Sequence, residues 1–356
     1  MCNPAIQSEV EVDPALESDS ALGTDDMQSY STSLASSVEE YKVEHGRRFH
    51  AYREGAYNFP NDDKEQDRLD MVHHMQILAK GNKLFLSPLS SPPKRILDVG
   101  TGTGIWAIEA GDAYPDAEIV GNDLSPIQPR WGNSPPTPIQ VFHPPLTHHP
   151  KVPPNVRFEV DDVESDWPAR DPFDLVHVRY MAGSIADWPR LFRQAFAATK
   201  PGGWAEFSDY EMNYYSDDGS MPEDSNMKKL AELLVEGCDK IGRTVSPGPK
   251  LKGWMEQAGF KNIQQEVCKL PMGAWPKDKT MKKIGAFNFV QTYEGLEAFV
   301  LAVFTRILGW TADEVQVFIA KCRADMKKKD VHMVLNFWVV YGQRPEEEED
   351  PKAAAA

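Results

Sequence analysis

The sequence predicts an α/β fold organised around a parallel, doubly wound β-sheet. From position 95 onward, short apolar segments of strand length alternate with segments whose apolar residues recur every three or four positions. The first strand runs into a glycine-rich turn that opens a helix, and this alternation is typical of parallel sheets covered by helices on both faces. The 356 residues exceed the usual size of one domain, but they fit a single α/β unit with tails and an insertion.

The individual elements follow from local pattern. Apolar runs bounded by turn residues predict strands at 95–99, 118–121, 156–160, 173–179 and 204–208. Apolar residues at helical spacing predict helices at 69–79, 188–196, 230–241 and 296–308. Thr311 and Glu314 have the spacing of a capping box, which indicates that another helix begins there. A β-rich run at 331–341 then closes the domain.

Both ends of the chain are expected to lie outside the folded domain. Residues 1–40 contain nine acidic residues, no lysine or arginine and few aromatic residues, a composition typical of disorder. The domain is expected to cover 41–344, with 41–90 as a helical N-terminal cap. A second acidic tail follows at 345–356.

Residues 132–151 interrupt the predicted sheet. They contain six prolines and three histidines and separate the second strand from the third, where connections are normally short. Without a second cluster of ligands, the histidines are interpreted as loop residues and no metal site is predicted. Two explanations remain open for this segment: a genuine proline-rich loop, or an unspliced intron in the gene model.

The charge and the cysteines exclude several classes of protein. A net charge of −16 disfavours direct binding to nucleic acid, because binding of that kind depends on neutralising phosphates. No apolar run approaches the roughly 20 residues that span a bilayer, so no membrane span is predicted. The four cysteines are far apart and form no CxxC or Cys/His cluster, which argues against both a disulfide framework and a zinc site and favours a reducing compartment. We therefore expect the protein in the cytoplasm, the nucleus or both.

The strongest motif lies where the first predicted strand ends, in Arg95-Ile-Leu-Asp-Val-Gly-Thr-Gly-Thr-Gly-Ile-Trp106. Gly100, Gly102 and Gly104 allow the backbone to turn sharply and to approach a ligand closely. The start of the following helix offers free N–H groups to that ligand. The motif indicates a nucleotide-type cofactor.

Carboxylates surround this turn. Asp98 precedes it, Asp123 ends the second strand at the spacing of a ribose-binding residue, and Asp161 and Asp162 follow the third strand. The segment 102–107 also satisfies a dinucleotide pattern, so the glycines alone leave NAD open. Asp98 disfavours NAD, because its charge would repel a pyrophosphate, and favours a cationic cofactor such as S-adenosylmethionine.

Residues 95–210 resemble the class I S-adenosylmethionine-dependent methyltransferases. The resemblance lies in Asp98-Val-Gly-Thr-Gly-Thr-Gly104, in Asn122-Asp123, in Asp161-Asp162 and in Lys200-Pro-Gly-Gly203. Further segments are similar to the LaeA-like fungal methyltransferases: Tyr52-Arg-Glu-Gly-Ala-Tyr-Asn-Phe-Pro-Asn-Asp62, Leu124-Ser-Pro-Ile-Gln-Pro129, Val163-Glu-Ser-Asp-Trp167, His177-Val-Arg-Tyr180 and Tyr341-Gly-Gln-Arg-Pro345. The insertion at 132–151 departs from the family pattern.

The resemblance implies a fold and a cofactor site. The fold is a Rossmann-like, seven-stranded, mostly parallel sheet whose last strand is antiparallel, and S-adenosyl-L-methionine is the cofactor. Tyr52 and Tyr57, with Phe59, are expected either to close over the cofactor sulfonium by cation–π contact or to pack a helix against the sheet. The expected cofactor-binding residues are Tyr52, Tyr57, Asp98, Gly100, Thr101, Gly102, Gly104, Asp123, Leu124, Asp161, Asp162, Val163 and Arg179.

The methyl acceptor is expected above the fourth and fifth strands. Methyl transfer from a sulfonium depends mainly on positioning, so a general base is optional. His177, Tyr180, Glu206 and Tyr210 are the candidates for facing the acceptor. His177 is equally well interpreted as a buried core histidine, and Glu206 as an ordinary residue at a strand end.

Three functional hypotheses remain at this point, and the acceptor and oligomeric state stay open. The protein is a methyltransferase that regulates secondary metabolism, for which the resemblance implies velvet-type or other regulatory partner proteins. Alternatively, it is a tailoring enzyme that methylates a small natural product. The third hypothesis is a non-catalytic scaffold in a nuclear complex, which the intact acidic positions disfavour.

Overall fold

The computed structural model describes residues 62–125, 127–129 and 152–346, the backbone of 42–44 and 47–49, and the isolated position 10. The strands are β1 (Lys42–Glu44), β2 (Arg47–Phe49), β3 (Arg95–Val99), β4 (Glu118–Asp123), β5 (Val156–Val160), β6 (Phe173–Arg179), β7 (Thr199–Tyr215), β8 (Lys261–Pro271) and β9 (Val334–Gln343). The helices are α1 (Asp63–Ala79), α2 (Ile105–Ala113), α3 (Trp188–Ala198), α4 (Asn226–Lys240), α5 (Leu251–Ala258), α6 (Lys279–Arg306) and α7 (Ala312–Met326).

Seven strands form one mixed sheet in the order β5-β4-β3-β6-β7-β9-β8. The pairs from β5 to β7 are parallel, whereas β9 runs antiparallel to both of its neighbours. The predicted fold, including the antiparallel last strand, is confirmed. β1 and β2 pair separately as a small antiparallel hairpin. The N-terminal cap was predicted to be helical, and it therefore contains strands as well as α1.

The sheet is buried because helices cover both faces. One cluster of buried apolar residues joins the sheet to α1, α2, α4, α6 and α7, and a second joins the other face to α3 and α5. The buried side chains of β3, β4 and β6 explain why their near-continuous apolar runs were recognisable in the sequence. Within the described residues, no helix combines the length and apolar composition that a bilayer crossing requires.

Several boundaries differ from the prediction. β7 extends well beyond 204–208 in both directions and projects past β6, which ends opposite Ser208. Strand β8 was not predicted, since it lies at the sheet edge and only part of it is buried. α6 begins 17 residues before the predicted start at 296. Other elements pack against several of its sides, so its sequence lacks the clear polar face by which the earlier turns could have been recognised. The capping box of Thr311 and Glu314 is confirmed.

Candidate active site

A large open cleft lies along the carboxyl edge of the parallel strands. The segments after β3, β4, β5 and β6 and the projecting end of β7 line it, together with residues of α1, α4 and α6. Ligands bind at this edge in open α/β sheets. Among the residues selected from the sequence, those lining the cleft are Gly100, Thr101, Gly102, Asp123, Leu124, Asp161, Asp162, Val163, Arg179, Tyr180 and Tyr210.

The glycine turn lies at one end of the cleft, and two of its glycines are required for different reasons. Both Gly102 and Gly104 have positive φ, at 58° and 81°. A Cβ atom on Gly102 would find no atom closer than Leu69 Cδ1 at 3.9 Å, so it would project into open space. A Cβ atom on Gly104 would lie 2.6 Å from the ring of Phe158. Gly102 therefore leaves room for a ligand, whereas Gly104 leaves room for the protein core.

Asp123 fastens the glycine turn to the end of β4. One carboxylate oxygen accepts a hydrogen bond from the Gly102 amide at 2.9 Å, and the other accepts one from the Ser125 amide at 2.9 Å. Burial raises the pKa of Asp123 to about 6, despite these donors. Each oxygen keeps a second lone pair, so the carboxylate can also accept hydrogen bonds from a ligand diol.

Two further side chains hold the turn in place. Gln128 Nε2 donates to the Gly102 carbonyl at 2.6 Å and to the Ser125 carbonyl at 2.9 Å. Thr103 donates from its hydroxyl to Asp70 of α1 at 2.6 Å. The turn is therefore fixed both to the segment after β4 and to the helix that covers the cleft.

Asp161, Asp162 and Val163 follow β5 on the same half of the cleft. The Asp162 carboxylate accepts hydrogen bonds from the Glu164 amide at 2.9 Å and from the Ser165 hydroxyl at 3.2 Å. These bonds shape a tight turn, and Val163 contributes a buried apolar side chain beside it. The arrangement can present an acidic group and an apolar surface to a base of a nucleotide-type ligand.

Asp98 and His177 do not line the cleft but lie behind it. Asp98 accepts a hydrogen bond from the Thr101 hydroxyl at 2.6 Å, and His177 Nδ1 lies 2.7 Å from its other oxygen. The His177 ring stacks on Trp106 with 3.8 Å between centroids. Burial lowers the pKa of His177 to about 4, so the neutral ring donates to Asp98. The interpretation of His177 as a core histidine therefore fits this placement.

Glu206 is also buried away from the cleft. Its Oε2 atom accepts hydrogen bonds from the Leu86 and Ser87 amides at 2.7 and 2.9 Å and from the Ser87 hydroxyl at 3.0 Å. The ammonium group of Lys80 lies 3.8 Å from its other oxygen. Glu206 thus anchors the segment after α1 to β7. The expectation that it faces the methyl acceptor does not fit this placement, because Glu206 does not line the cleft.

Arg68 joins the covering helices to the sheet. It donates from Nε and Nη2 to both oxygens of Glu65, at 3.1 and 2.6 Å. Its Nη1 donates to the Tyr180 hydroxyl at 3.2 Å and to Gln291 Oε1 at 2.9 Å. Charge and hydrogen-bonding capacity are both largely satisfied in this cluster, which connects α1, α6 and the end of β6.

Tyr180 and Tyr210 stand together at the centre of the cleft. Their rings meet edge to face with 5.2 Å between centroids. Tyr180 has a φ of 58°, which is rare outside glycine and turns its side chain toward Arg68. Gln76 donates to the Tyr210 hydroxyl at 3.0 Å. Burial raises the pKa of both hydroxyl groups, so both stay protonated at neutral pH.

The half of the cleft beyond Tyr210 is mainly apolar. Tyr210, Met212 and Tyr214 are alternate residues of β7 and therefore share one face of that strand. Helices α4 and α6, the segment before α5 and the neighbouring strand β9 supply further apolar side chains. These are Leu230, Leu234, Val245, Phe299 and Leu335.

The sequence alone did not single out this apolar half. Met212 and Tyr214 belong to the part of β7 that was not predicted, and the apolar residues of α4 are expected in any amphipathic helix. No role was predicted for Glu65 or Arg68 from the sequence. Gln291 lies among other polar residues of α6, namely Asn288, Thr292 and Glu294, so the sequence pattern did not distinguish it.

Some predicted features lie outside the described residues. They are Tyr52, Tyr57 and Phe59, the segments 1–40 and 132–151, and most of the tail at 345–356. Arg179 is described, lines the cleft and donates to His73 Nδ1 at 2.9 Å. Within the part of the chain that the structure describes, no three His, Cys, Asp or Glu side chains group as metal ligands.

Comparisons with known proteins agree with this architecture. Residues 71–265 match the family model described as "Methyltransferase domain". The chain is 46% identical over 344 residues to "Methyltransferase pytC" of Aspergillus terreus, covering 96% of this chain and 97% of that protein. It is 34% identical to "Secondary metabolism regulator LAE1" of Cochliobolus heterostrophus, covering 86% and 95%. It is 31% identical to "Probable methyltransferase tdiE" of Emericella nidulans, covering 90% and 94%.

The fold, the glycine turn and the family match together define a class I methyltransferase that uses S-adenosyl-L-methionine. Within that class, the chain belongs to the LaeA-like methyltransferases of fungi. The relatives include proteins named as methyltransferases and proteins named as regulators of secondary metabolism.

Proposed function

We propose that the protein transfers a methyl group to an acceptor that binds in the same cleft as the cofactor. The cofactor occupies the half formed by the segments after β3, β4 and β5, and the acceptor occupies the half formed by β6, β7 and α4. The observation that carries this proposal is the continuity of the cleft, which brings Gly102 and Tyr210 into one space.

The cofactor half fits S-adenosyl-L-methionine. Gly102 is open toward the cleft, as close approach of a nucleoside requires. Asp123 accepts hydrogen bonds from the ribose, while Asp162 and Val163 hold the adenine. When bound, the cofactor supplies a methyl group on an electrophilic sulfonium. Asp98 acts indirectly in this scheme, because it fixes Thr101 and the turn rather than meeting the cofactor itself.

Further assigned roles remain predictions from the sequence. Tyr52 and Tyr57 close over the cofactor from the N-terminal cap. Leu124 and Arg179, which both line the cleft, bind the cofactor. None of these roles requires a dedicated general base, because orientation of the two reactants supplies most of the rate acceleration.

In the cell, we place the activity in fungal secondary metabolism. The relative with 46% identity is named as a methyltransferase, which favours an enzyme acting on a metabolite. The relatives named as regulators, at 30–34% identity, support a second candidate. In that candidate the protein acts with velvet-type or other regulatory partners in the nucleus or cytoplasm, and the methyl acceptor belongs to that assembly.

Complementation of a deletion strain separates an enzyme from a scaffold. Gly102→Val fills the cofactor half and places a branched side chain at a positive φ. Gly219→Val is the matched control, because Gly219 has a φ of 73° and open space around it but does not line the cleft. We expect the control to restore metabolite production and Gly102→Val to fail at equal protein level. Restoration by both variants would contradict catalysis.

A further inference from the structure

The apolar half of the cleft carries information about the acceptor. Its walls include Met212 and Tyr214 of β7, Leu230 and Leu234 of α4, Val245 and Leu335. All except Met212 are less than a tenth exposed. We call this space the acceptor chamber. An interior space of this composition gains free energy by burying apolar surface, so it suits a small molecule with a largely apolar body.

The charge in the acceptor chamber disfavours a cationic acceptor. Two glutamates line the cleft near the chamber, and both are already paired: both oxygens of Glu65 accept hydrogen bonds from Arg68, and Glu164 pairs with Arg243 at 3.0 Å. An ammonium or guanidinium group entering the chamber would lose its water without gaining an unpaired carboxylate. Lysine and arginine side chains of a protein substrate are therefore poorly matched to it.

Tyr214 provides a polar contact for a ligand in the chamber. Its side chain is 4% exposed and lines the cleft. No described residue forms a hydrogen bond with its hydroxyl group. Burial first, and then the neighbouring Tyr180, raises the pKa of this hydroxyl, so it stays protonated and can donate. Because this hydroxyl group lines the cleft and has no partner among the described residues, it is available to donate a hydrogen bond to a ligand.

The polar groups around the chamber also limit which kinds of nucleophile can react there. The polar groups around it include the Glu65–Arg68 ion pair, the side chains of Gln76, Gln291 and Thr292, and the hydroxyl groups of Tyr180, Tyr210 and Tyr214. None of these is a free base at neutral pH. An acceptor that ionises by itself needs no base, and the tyrosine hydroxyl groups can stabilise its anion by donating hydrogen bonds.

Resting on the proposed function, we infer that the acceptor is a small, largely apolar molecule with an acidic hydroxyl group, namely a phenol, an enol or a carboxylic acid. It is methylated at that oxygen. The oxygen forms a bond to the methyl carbon as the carbon–sulfur bond breaks. An anionic oxygen and a sulfonium thus give a neutral ether or ester and a neutral thioether, and no proton has to be removed during transfer.

The test uses S-adenosyl-L-methionine tritiated in its methyl group and the purified full-length protein. Cells of the source organism are separated into an organic-solvent extract and a dialysed protein fraction, and each is offered as the acceptor. We expect tritium in the organic extract, in products that stay in the organic phase against both dilute acid and dilute alkali. Methylated amines would move into the acid. Label confined to protein or to the acid phase, or no label in either fraction, overturns the inference.

Two neighbouring tyrosines provide a matched pair of variants. Tyr214→Phe removes only the chamber hydroxyl and should lower transfer at limiting acceptor by roughly threefold to tenfold, as expected for one lost hydrogen bond. Tyr215→Phe is the control, because Tyr215 donates to Asn336 at 2.8 Å and does not line the cleft. Met212→Trp, which fills the chamber, should reduce transfer more than tenfold. Equal transfer by all of these variants and the wild-type protein overturns the inference.

Calorimetry with S-adenosylhomocysteine distinguishes failure of the acceptor inference from failure of the proposed function. Every variant in this set should bind S-adenosylhomocysteine as the wild-type protein does, because the substitutions lie in the acceptor half. A protein that binds it but labels no small molecule contradicts the acceptor inference alone. A wild-type protein that fails to bind it contradicts the proposed function as well.

Discussion

The Nη1 atom of Arg68 donates to the Tyr180 hydroxyl at 3.2 Å and thereby ties the helix over the cleft to the end of β6. The same guanidinium holds both oxygens of Glu65. The side chains of Arg68 and Glu65 are 6% and 3% exposed, so the ion pair is removed from water. Its stability therefore depends on the geometry of its own hydrogen bonds. The shape of the cleft between α1 and the sheet rests on this cluster.

Loss of Arg68 should strongly destabilise the protein. Arg68→Met removes the guanidinium group that neutralises the buried Glu65 carboxylate, and breaking a buried ion pair in this way typically costs about 3–5 kcal/mol in the free energy of unfolding. Urea denaturation measures this change. Lys64→Met is the control on the same helix, because the Lys64–Glu294 pair is exposed and should be worth less than about 1 kcal/mol. Similar losses from both variants would show that the buried pair has no special role.

Asp123 should contribute directly to cofactor affinity. Asp123→Ala removes a charged acceptor, whose hydrogen bonds are worth about 1.5–3 kcal/mol, so affinity for S-adenosylhomocysteine should fall by roughly tenfold to a hundredfold. Asp166→Ala removes an exposed carboxylate that pairs with Arg190, and it should leave affinity unchanged. Calorimetry that finds the wild-type affinity in Asp123→Ala would exclude this residue from the site.

The same carboxylate should make cofactor binding depend on pH. Burial raises the pKa of Asp123 from 3.8 to about 6, and the ribose hydroxyl groups hydrogen-bond to the ionised form. Affinity should therefore be level above pH 6 and decline by up to about tenfold per pH unit below it. Titrations between pH 5 and pH 7 test this, with Asp123→Asn as a variant that should lose the dependence.

Protein stability should respond to Asp123 in the opposite direction. A carboxyl group whose pKa is higher in the folded protein binds protons more tightly there than in the unfolded chain. Its ionisation therefore costs stability above pH 6, and the cost disappears as the pH falls through that value. In the absence of cofactor, the stability of Asp123→Asn relative to the wild-type protein should therefore be higher at pH 8 than near pH 4, on top of a constant loss from the amide hydrogen bond that Asn cannot accept. A relative stability that rises toward acid would contradict the burial of the charge.

Replacing Gly104 should lower the stability of the protein, because Gly104 packs against the core, whereas Gly102 faces open space in the cleft. Gly104→Ala brings a Cβ atom to 2.6 Å from the Phe158 ring, and overpacking of this kind costs about 1–3 kcal/mol in addition to the strain at a φ of 81°. Gly102→Ala carries a similar backbone strain but no clash. Urea denaturation should therefore find Gly104→Ala the less stable of the two. The reverse order would mean that the ring of Phe158 moves aside at little cost.

The sequence predicted the cofactor half of the cleft better than the acceptor half. The glycine turn follows β3 directly, and Asp123 is the last residue of β4. Both strands have strong apolar patterns, so the place of these residues at the sheet edge could be predicted from the neighbouring sequence. The placement of His177 and Glu206 depends on register. Asp98, His177 and Glu206 are neighbours across β3, β6 and β7, in a row short of the strand ends. Nothing local in the sequence reveals that row.

The acceptor chamber escaped prediction for a related reason. It is built by the end of β7, by α4 and by Leu335 of β9, segments that are far apart in the chain. Each contributes ordinary apolar residues, which are expected in any core. Only their arrangement around the Tyr214 hydroxyl distinguishes a ligand-binding space from packing.

In the proposed site, S-adenosyl-L-methionine binds against Gly102 in the cleft. Calorimetric titration of S-adenosylhomocysteine into Gly102→Ala and Gly219→Ala measures whether it does. Both glycines have positive φ and free space for a Cβ atom, so the two variants share backbone strain, but only Gly102 lines the cleft. We predict at least a tenfold loss of affinity for Gly102→Ala and wild-type affinity for Gly219→Ala. Equal affinities in the two variants would contradict the assignment of the cofactor to this cleft.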